Sequence, residues 1–494
     1  MISRILGFIR DVVIAHAFGA GANTDAFLIA FKIPNFMRRL FAEGAFSQAF
    51  VPVLSEFKTQ RDAHTLKHLI DHVAGSLGGL LTLITILGII GAPLLVVIFA
   101  PGFIQNQEKF ALTVDMLRIT FPYLLFIAMT AFAGGILNTF GRFAVPAFTP
   151  VLLNLCLISA AVWLTDYFSE PIVALAWGVL IAGVVQFIFQ LPFLYRLGLL
   201  PRPRFNLKDE GVIQINRLML PALLGVSVSQ INLLVDTLMA SFLMTGSVSW
   251  LYYSDRLMEF PVAVFGLALA TVILPDLSKI VARGDTEAYS RTLDWALRWV
   301  LLVTVPAMVG LIVLAEPILA TLFHNGEFTV QDVMKTSYSL MAYAVGLSGF
   351  VLVKVLASGF YSRQDTRTPV KIAVIAMSTN MILNIALIFP LQHAGLALAT
   401  ALAALLNTAL LYRGLRQQNV FQPQPGWLGL FLRIGIASTC MAISLRLNMG
   451  SLAEWLLQSK LEQFIYLFGW IIGGIIIYVM TLFSSGFRLQ QVRL

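Results

Sequence analysis

Apolar runs of roughly twenty residues recur along the whole chain, and few folds can shelter that pattern. Residues 69–99, 171–195 and 464–483 are examples. A helix needs about 20 consecutive apolar residues to cross a bilayer, whereas barrel strands alternate apolar and polar positions over about 10. The runs here are continuous, and no such alternation appears. Of 494 residues, 58% are hydrophobic and only 12% charged, against about 25% charged in soluble domains. The sequence therefore predicts an all-α polytopic membrane protein with about fourteen transmembrane helices. The second span, 22–56, contains Pro34, Gly44 and Pro52, so it is expected to bend and line a cavity.

Loop charge predicts orientation. Most basic residues, including Lys58, Arg142, Arg202, Arg283, Arg298, Arg367 and Arg413, fall in loops on one side of the predicted spans. The opposite loops hold Lys109, Lys335, Arg446 and Lys460. By the positive-inside rule the basic side and both termini are cytoplasmic. That asymmetry accounts for the net charge of +8 without invoking nucleic acid. Cys156 and Cys440 lie far apart in apolar segments and read as packing residues rather than a disulfide.

An internal repeat divides the chain. AFVPVLSEF (49–57) resembles TVILPDLSKI (271–280), and AGGILNTFGRFAVPAF (133–148) resembles ASGFYSRQDTRTPVKI (357–372). Pro52 aligns with Pro275, Ser55 with Ser278, Gly135 with Gly359 and Pro146 with Pro369. The predicted organisation is an N-terminal six-helix lobe (1–200), a cytoplasmic linker (201–217), a pseudo-symmetric six-helix lobe (218–415) and two additional C-terminal helices (416–494).

Charge inside the spans is the strongest functional signal. An ionised side chain at the bilayer centre costs about 2.5–3.5 kcal/mol even on the lenient insertion scale, so it persists where it pairs or meets water. Arg4, Arg10, Asp25, Lys32, Arg38, Arg39 and Glu43 cluster near the start, and Asp255, Arg256 and Glu259 lie far downstream. Asp25, Lys32, Arg39 and Glu43 are spaced to fall near one helical face. Lys354 adds a cation in the tenth predicted span. Mutual neutralisation as buried ion pairs is one reading; a polar substrate cavity is the preferred one. An excess of guanidinium suits an anion, because arginine offers a two-pronged fork to phosphate or carboxylate. Asp115 and Arg118 read equally well as a structural pair.

His64, His68 and His72 repeat every fourth residue, a spacing able to bind zinc. With no fourth ligand evident they read as a solvated helix face. Phosphate-binding, zinc-protease and serine-hydrolase motifs are absent, so energy is expected from an ion gradient or the membrane potential rather than ATP.

Several long segments resemble one family. SRILGFIRD (3–11), GAGANTDAF (19–27), KIPNFMRRLFAEGAFSQAFVP (32–52), SWLYYSDRLMEFP (249–261) and VKVLASGFYSRQDTRTPVKIA (353–373) are similar to the MurJ (MviN) family of the MOP superfamily. The resemblance implies a lipid II flippase of the bacterial inner membrane, working by alternating access. Its substrate would be the undecaprenyl-diphosphate-linked disaccharide pentapeptide used in peptidoglycan synthesis. It further implies that Arg4, Arg10, Arg38 and Arg256 line a cationic cavity with Asp25. A sodium site would use Asp236, Asn380, Asn384 and Thr400, although Asn384 stands where that pattern has an acid. Members carry an apolar stretch ahead of the SRILGF motif, so the true start is expected upstream of Met1.

The expected function is thus lipid II translocation, with cell-wall synthesis proteins as partners and no enzymatic activity. The alternative within the superfamily is export of another lipid-linked oligosaccharide or a drug. A drug exporter calls for an acidic cavity rather than an arginine-rich one. A polyprenyl-phosphate transferase would need a catalytic group in a surface loop, and the short loops on the less basic side supply none.

Overall fold

A computed structural model describes residues 2–39 and 46–488, leaving aside the side chains of residues 220–233, 267, 268 and 270. Every regular element among the described residues is helical. Two compact units divide the chain, Met1–Ser249 and Trp250–Leu494.

The first unit contains α1 (Ile2–Phe18), α2 (Ala22–Arg38), α3 (Ser47–Gln60), α4 (Ala63–Ile90), α5 (Ala92–Phe99), α6 (Gln107–Thr120), α7 (Tyr123–Thr139), α8 (Ala144–Ser159), α9 (Val173–Arg196) and α10 (Glu210–Ser241). Sequence chemistry marks several boundaries. Asn106 accepts the Lys109 N–H at 3.0 Å to cap α6, and Asp209 accepts the N–H groups of Gly211 and Val212 to cap α10, each satisfying donors that a helix start leaves orphaned. The core packs Phe50, Val53 and Leu54 of α3 against Leu69, Ile70 and Val73 of α4, Phe132 and Ile136 of α7, and Val212 and Ile215 of α10. Helix α10 runs close to the segment after α5: a Cβ on Gly102 would lie 2.1 Å from the Ser241 carbonyl oxygen.

The second unit follows from α11 (Ser247–Pro261), whose first turn straddles the division, through α12 (Ala268–Ala282), α13 (Thr286–Val313), α14 (Ala315–Leu322), α15 (Val330–Val345), α16 (Leu347–Tyr361) and α17 (Arg367–Gln417). It ends with α18 (Trp427–Asn448), α19 (Leu452–Leu456) and α20 (Lys460–Ser484). Helix α17 spans 51 residues with a non-helical break at Gln392, two residues after Pro390. Its core joins Leu302 of α13 to Ile434 and Met441 of α18 and Tyr478 of α20.

Ten helical stretches among the described residues, some joining consecutive elements such as α6 with α7 and α15 with α16, are long and apolar enough to cross a membrane. Helices α1 and α2, at 17 residues each, fall just under that length. Of the three residues expected to break the second span, Gly44 lies outside the described residues, while Pro34 and Pro52 fall within α2 and α3. Pro146 and Pro369, aligned in the sequence repeat, are each the third residue of their helices, α8 and α17, within a first turn where a missing N–H costs nothing. Cys156 and Cys440 are both free.

Arg298, which the sequence reading assigns to a cytoplasmic loop, is buried. Its Nε donates to Asp294 Oδ2 at 2.6 Å, and its Nη2 donates to the carbonyls of Gln424 and Pro425. Asp294 Oδ1 accepts the Gln424 N–H and the Trp427 indole N–H. This network pins the QPGW segment at the start of α18 against α13. Asp294→Ala leaves the guanidinium buried without its carboxylate and should cost about 3–5 kcal/mol. Asp294→Asn, which keeps one acceptor oxygen, should cost less. The thermal unfolding midpoint of the purified protein in detergent measures both.

Candidate functional site

The charged residues of the first unit fall into two groups, those committed to buried partners and those still accessible. Arg10 and Asp11 are both buried on α1. Arg10 donates through Nε (3.0 Å) and Nη2 (2.6 Å) to Asp11 Oδ1, and through Nη1 to Asn154 Oδ1 of α8 at 3.1 Å. The Asn154 amide in turn donates to the Ser3 carbonyl. Arg10 thus ties α1 to α8. Arg4, earlier on the same helix, is exposed.

Asp25 is 1% exposed in the first turn of α2. Its Oδ2 accepts Lys109 Nζ at 2.7 Å and the Gly246 N–H at 2.8 Å; its Oδ1 accepts the Ser249 N–H at 2.9 Å and hydroxyl at 2.6 Å. Four donors saturate the carboxylate. Lys109 is equally enclosed, with its ammonium 4.0 Å from the Phe103 ring centre. The sequence places Lys109 in a loop, whereas the structure buries it as the counter-ion of Asp25. A buried carboxylate calls for a cation, and Lys109 was one of only four basic residues on the less basic side. Thr120 adds a second tie between α6 and α2 through the Ala30 carbonyl.

Further along α2, Lys32 and Arg38 are half-buried and Arg39 is exposed. Arg38 Nε donates to Asn35 Oδ1 at 3.1 Å, within the NFMRR motif. Glu43 lies outside the described residues. Asp115 and Arg118 form an exposed pair at 3.3 Å, a geometry worth about 0–1 kcal/mol.

In the second unit, Asp255 and Glu259 are exposed on α11 and Arg256 is about one-third exposed. Arg256 Nη1 donates to Glu259 Oε2 at 2.6 Å, and the guanidinium lies 5.3 Å from the Tyr252 ring centre. The aromatic ring and the acid orient the fork while leaving it accessible. Lys354 is half-buried on α16, and a Cβ on Gly266 would come 3.2 Å from its Cδ. Glycine at 266 makes room for that stem.

Of the expected sodium ligands, Asp236 lies half-buried on α10 in the first unit. Asn380 and Asn384 are buried one turn apart on α17, and the Thr400 hydroxyl donates to the Leu396 carbonyl at 3.1 Å.

Comparison with known proteins gives these features a context. The family described as "Lipid II flippase MurJ" matches residues 14–466. A "Probable lipid II flippase MurJ" of Vibrio cholerae serotype O1 is 48% identical, covering 100% of this chain and 95% of the relative. A "Lipid II flippase MurJ" of Burkholderia cenocepacia is 44% identical over 90% of this chain and 86% of its own length. Among solved structures, "Lipid II flippase MurJ, inward closed conformation" matches with a TM-score of 0.82 at 30% identity, covering 99% of this chain and 98% of that one. An inward-facing multidrug resistance MATE family transporter of the MOP superfamily matches at TM-score 0.70 and 15% identity, over 85% of this chain and 95% of that one. At that identity the likeness is one of fold alone.

Proposed function

The chain belongs to the lipid II flippase MurJ family, and we infer that its accessible arginines grip the diphosphate of lipid II during transfer between leaflets. It is a multi-pass membrane transporter rather than an enzyme, and its cargo gives it a role in peptidoglycan synthesis. Drug export has no support beyond a shared fold.

Residue roles follow from accessibility. A diphosphate offers several acceptor oxygens, and arginine meets them with parallel N–H donors. Arg4, Arg38, Arg39 and Arg256 present guanidinium groups with exposed surface, while Lys32 and Lys354 are half-buried point charges. Arg10 and Asp25, enclosed by protein partners, hold helices in place. The observation carrying this reading is the contrast between the accessible Arg256, steadied by Tyr252 and Glu259, and the enclosed Arg10. Glu259 and Asp255 offset part of the positive charge, so the cargo can leave as well as bind.

Alternating access carries the headgroup across while the prenyl chain stays in lipid. The membrane is the bacterial inner membrane, with both termini cytoplasmic, and the direction is outward to the enzymes that build the wall. Those cell-wall synthesis proteins are its natural partners. Depleting the protein should leave lipid II confined to the cytoplasmic leaflet, read by a leaflet-specific accessibility assay in cells. Undiminished outward lipid II in depleted cells, with no other transporter active, would reject the assignment.

A sodium ion belongs to the same proposal. Asn380 and Asn384 bring amide oxygens, and Thr400 brings a hydroxyl oxygen whose hydrogen is committed elsewhere. Oxygen donors suit a hard cation. Transport that keeps its rate when choline replaces sodium would remove the ion from this reading.

A further inference from the structure

The three-histidine stripe on α4 acquires a different meaning in the structure. His64 is exposed, as a solvated face predicts, but His72 is buried and His68 half-buried. The loop between α9 and α10 brings Asp209 over the second and third rings. Asp209 Oδ2 lies 2.9 Å from His72 Nδ1 and 3.7 Å from His68 Nδ1. The two rings stand 3.9 Å apart between centres. One donor atom from each residue falls within 4.8 Å of the others.

We propose that His68, His72 and Asp209 form a binding site for a divalent transition cation of the zinc class, joining α4 to the start of α10. Zinc–nitrogen and zinc–oxygen bonds are about 2.0–2.2 Å, so neighbouring donors in a tetrahedron stand roughly 3.3–3.6 Å apart. The two separations from Asp209 Oδ2, 2.9 and 3.7 Å, fall on either side of that range, and side-chain rotations would close the three donors on one ion. Two imidazoles with one carboxylate suit zinc or its neighbours, whereas calcium and magnesium take all-oxygen sets. The partly exposed side of His68 leaves room for a fourth donor, either water or His64 one turn ahead.

The supporting shell is already in place. Asp209 Oδ1 accepts the Gly211 and Val212 N–H groups at 3.0 and 3.3 Å, which aims Oδ2 at the rings. Ligating carboxylates ordinarily have such outer hydrogen bonds. The loop that delivers Asp209 is itself fixed along α4. The Arg202 N–H donates to Asp71 Oδ1 at 2.7 Å, and the Arg204 N–H donates to the Asp71 carbonyl at 3.0 Å. Lys67 pairs with the same Asp71 carboxylate. A Cβ on Gly75 would meet the Arg204 backbone at 2.3 Å, so glycine there permits the close approach. A cation on His72 Nδ1 takes the place of hydrogen at that nitrogen, and the neutral imidazole then carries its one N–H at Nε2.

The test uses the full chain in detergent, purified without a histidine tag, stripped with a chelator and titrated with zinc chloride or cobalt chloride. One zinc per chain, a tetrahedral cobalt absorption spectrum and a raised unfolding midpoint are expected. Asp209→Asn keeps a good helix cap but loses the anionic oxygen. That variant and His68→Ala should each weaken zinc binding roughly tenfold or more, and the His68→Ala/His72→Ala double variant should abolish it. Absence of stoichiometric zinc in the unsubstituted chain, or unchanged affinity in both single variants, overturns the site. None of these readouts depends on lipid II transport.

Discussion

Asp25→Ala should abolish lipid II transport by unlatching the helix bundle, with an accompanying loss of stability of about 3–5 kcal/mol. The substitution strands the Lys109 ammonium, whose side chain is 6% exposed, with an aromatic ring as its neighbour. It also removes the acceptor for the Gly246 and Ser249 N–H groups. Lys109→Met is milder, because Asp25 keeps three hydrogen bonds from Gly246 and Ser249. The double variant Asp25→Ala/Lys109→Met should be more stable than Asp25→Ala alone, since no charge remains buried unpaired. That cycle isolates the pair. Unfolding midpoints in detergent and complementation in depleted cells measure the two consequences together. Full stability in Asp25→Ala with transport lost would return Asp25 to the substrate path.

The same residue shows what could be read in advance. Charge in an apolar stretch marked Asp25 and Arg10 as consequential, but spacing along one helix could not reveal partners on others. Lys109 lies 84 residues from Asp25, and Asn154 lies 144 from Arg10. Helical periodicity is local, while ion pairing is settled by tertiary packing. The fold was more legible because a bilayer admits few solutions. Continuous apolar runs dictated helices, and the aligned Pro146 and Pro369 marked equivalent helix starts. Asp209 was hidden for the same reason as Lys109. Its loop reads as a charged linker, yet Asp71 and Gly75 on α4 hold that loop by its backbone, through contacts that no pattern along the sequence records. Arg298 misled differently. Its position at a span edge suited a loop cation, but Asp294 one turn earlier turned it inward.

Arg38→Ala and Arg256→Ala should each cut lipid II binding and translocation roughly ten- to a hundredfold while leaving the fold intact. A hydrogen bond to a charged group contributes about 1.5–3 kcal/mol, and each 1.4 kcal/mol is about tenfold in affinity. The stability term is small: Arg256 is about one-third and Glu259 about half exposed, and such pairs contribute about 0–1 kcal/mol. Arg38 donates to Asn35 within its own helix, a bond local to α2. This pattern is the inverse of Asp25→Ala, where stability falls along with transport. Lysine at either position should restore part of the activity, since it keeps the charge but loses the planar fork. Glu259→Ala releases Arg256 from its oriented pair and should tighten lipid II binding while slowing release. The measurements are binding to purified protein, the leaflet accessibility assay in cells and the unfolding midpoint of each variant. Normal lipid II translocation in Arg38→Ala cells would exclude this arginine from the cargo's path, because a guanidinium gripping the diphosphate cannot be removed silently.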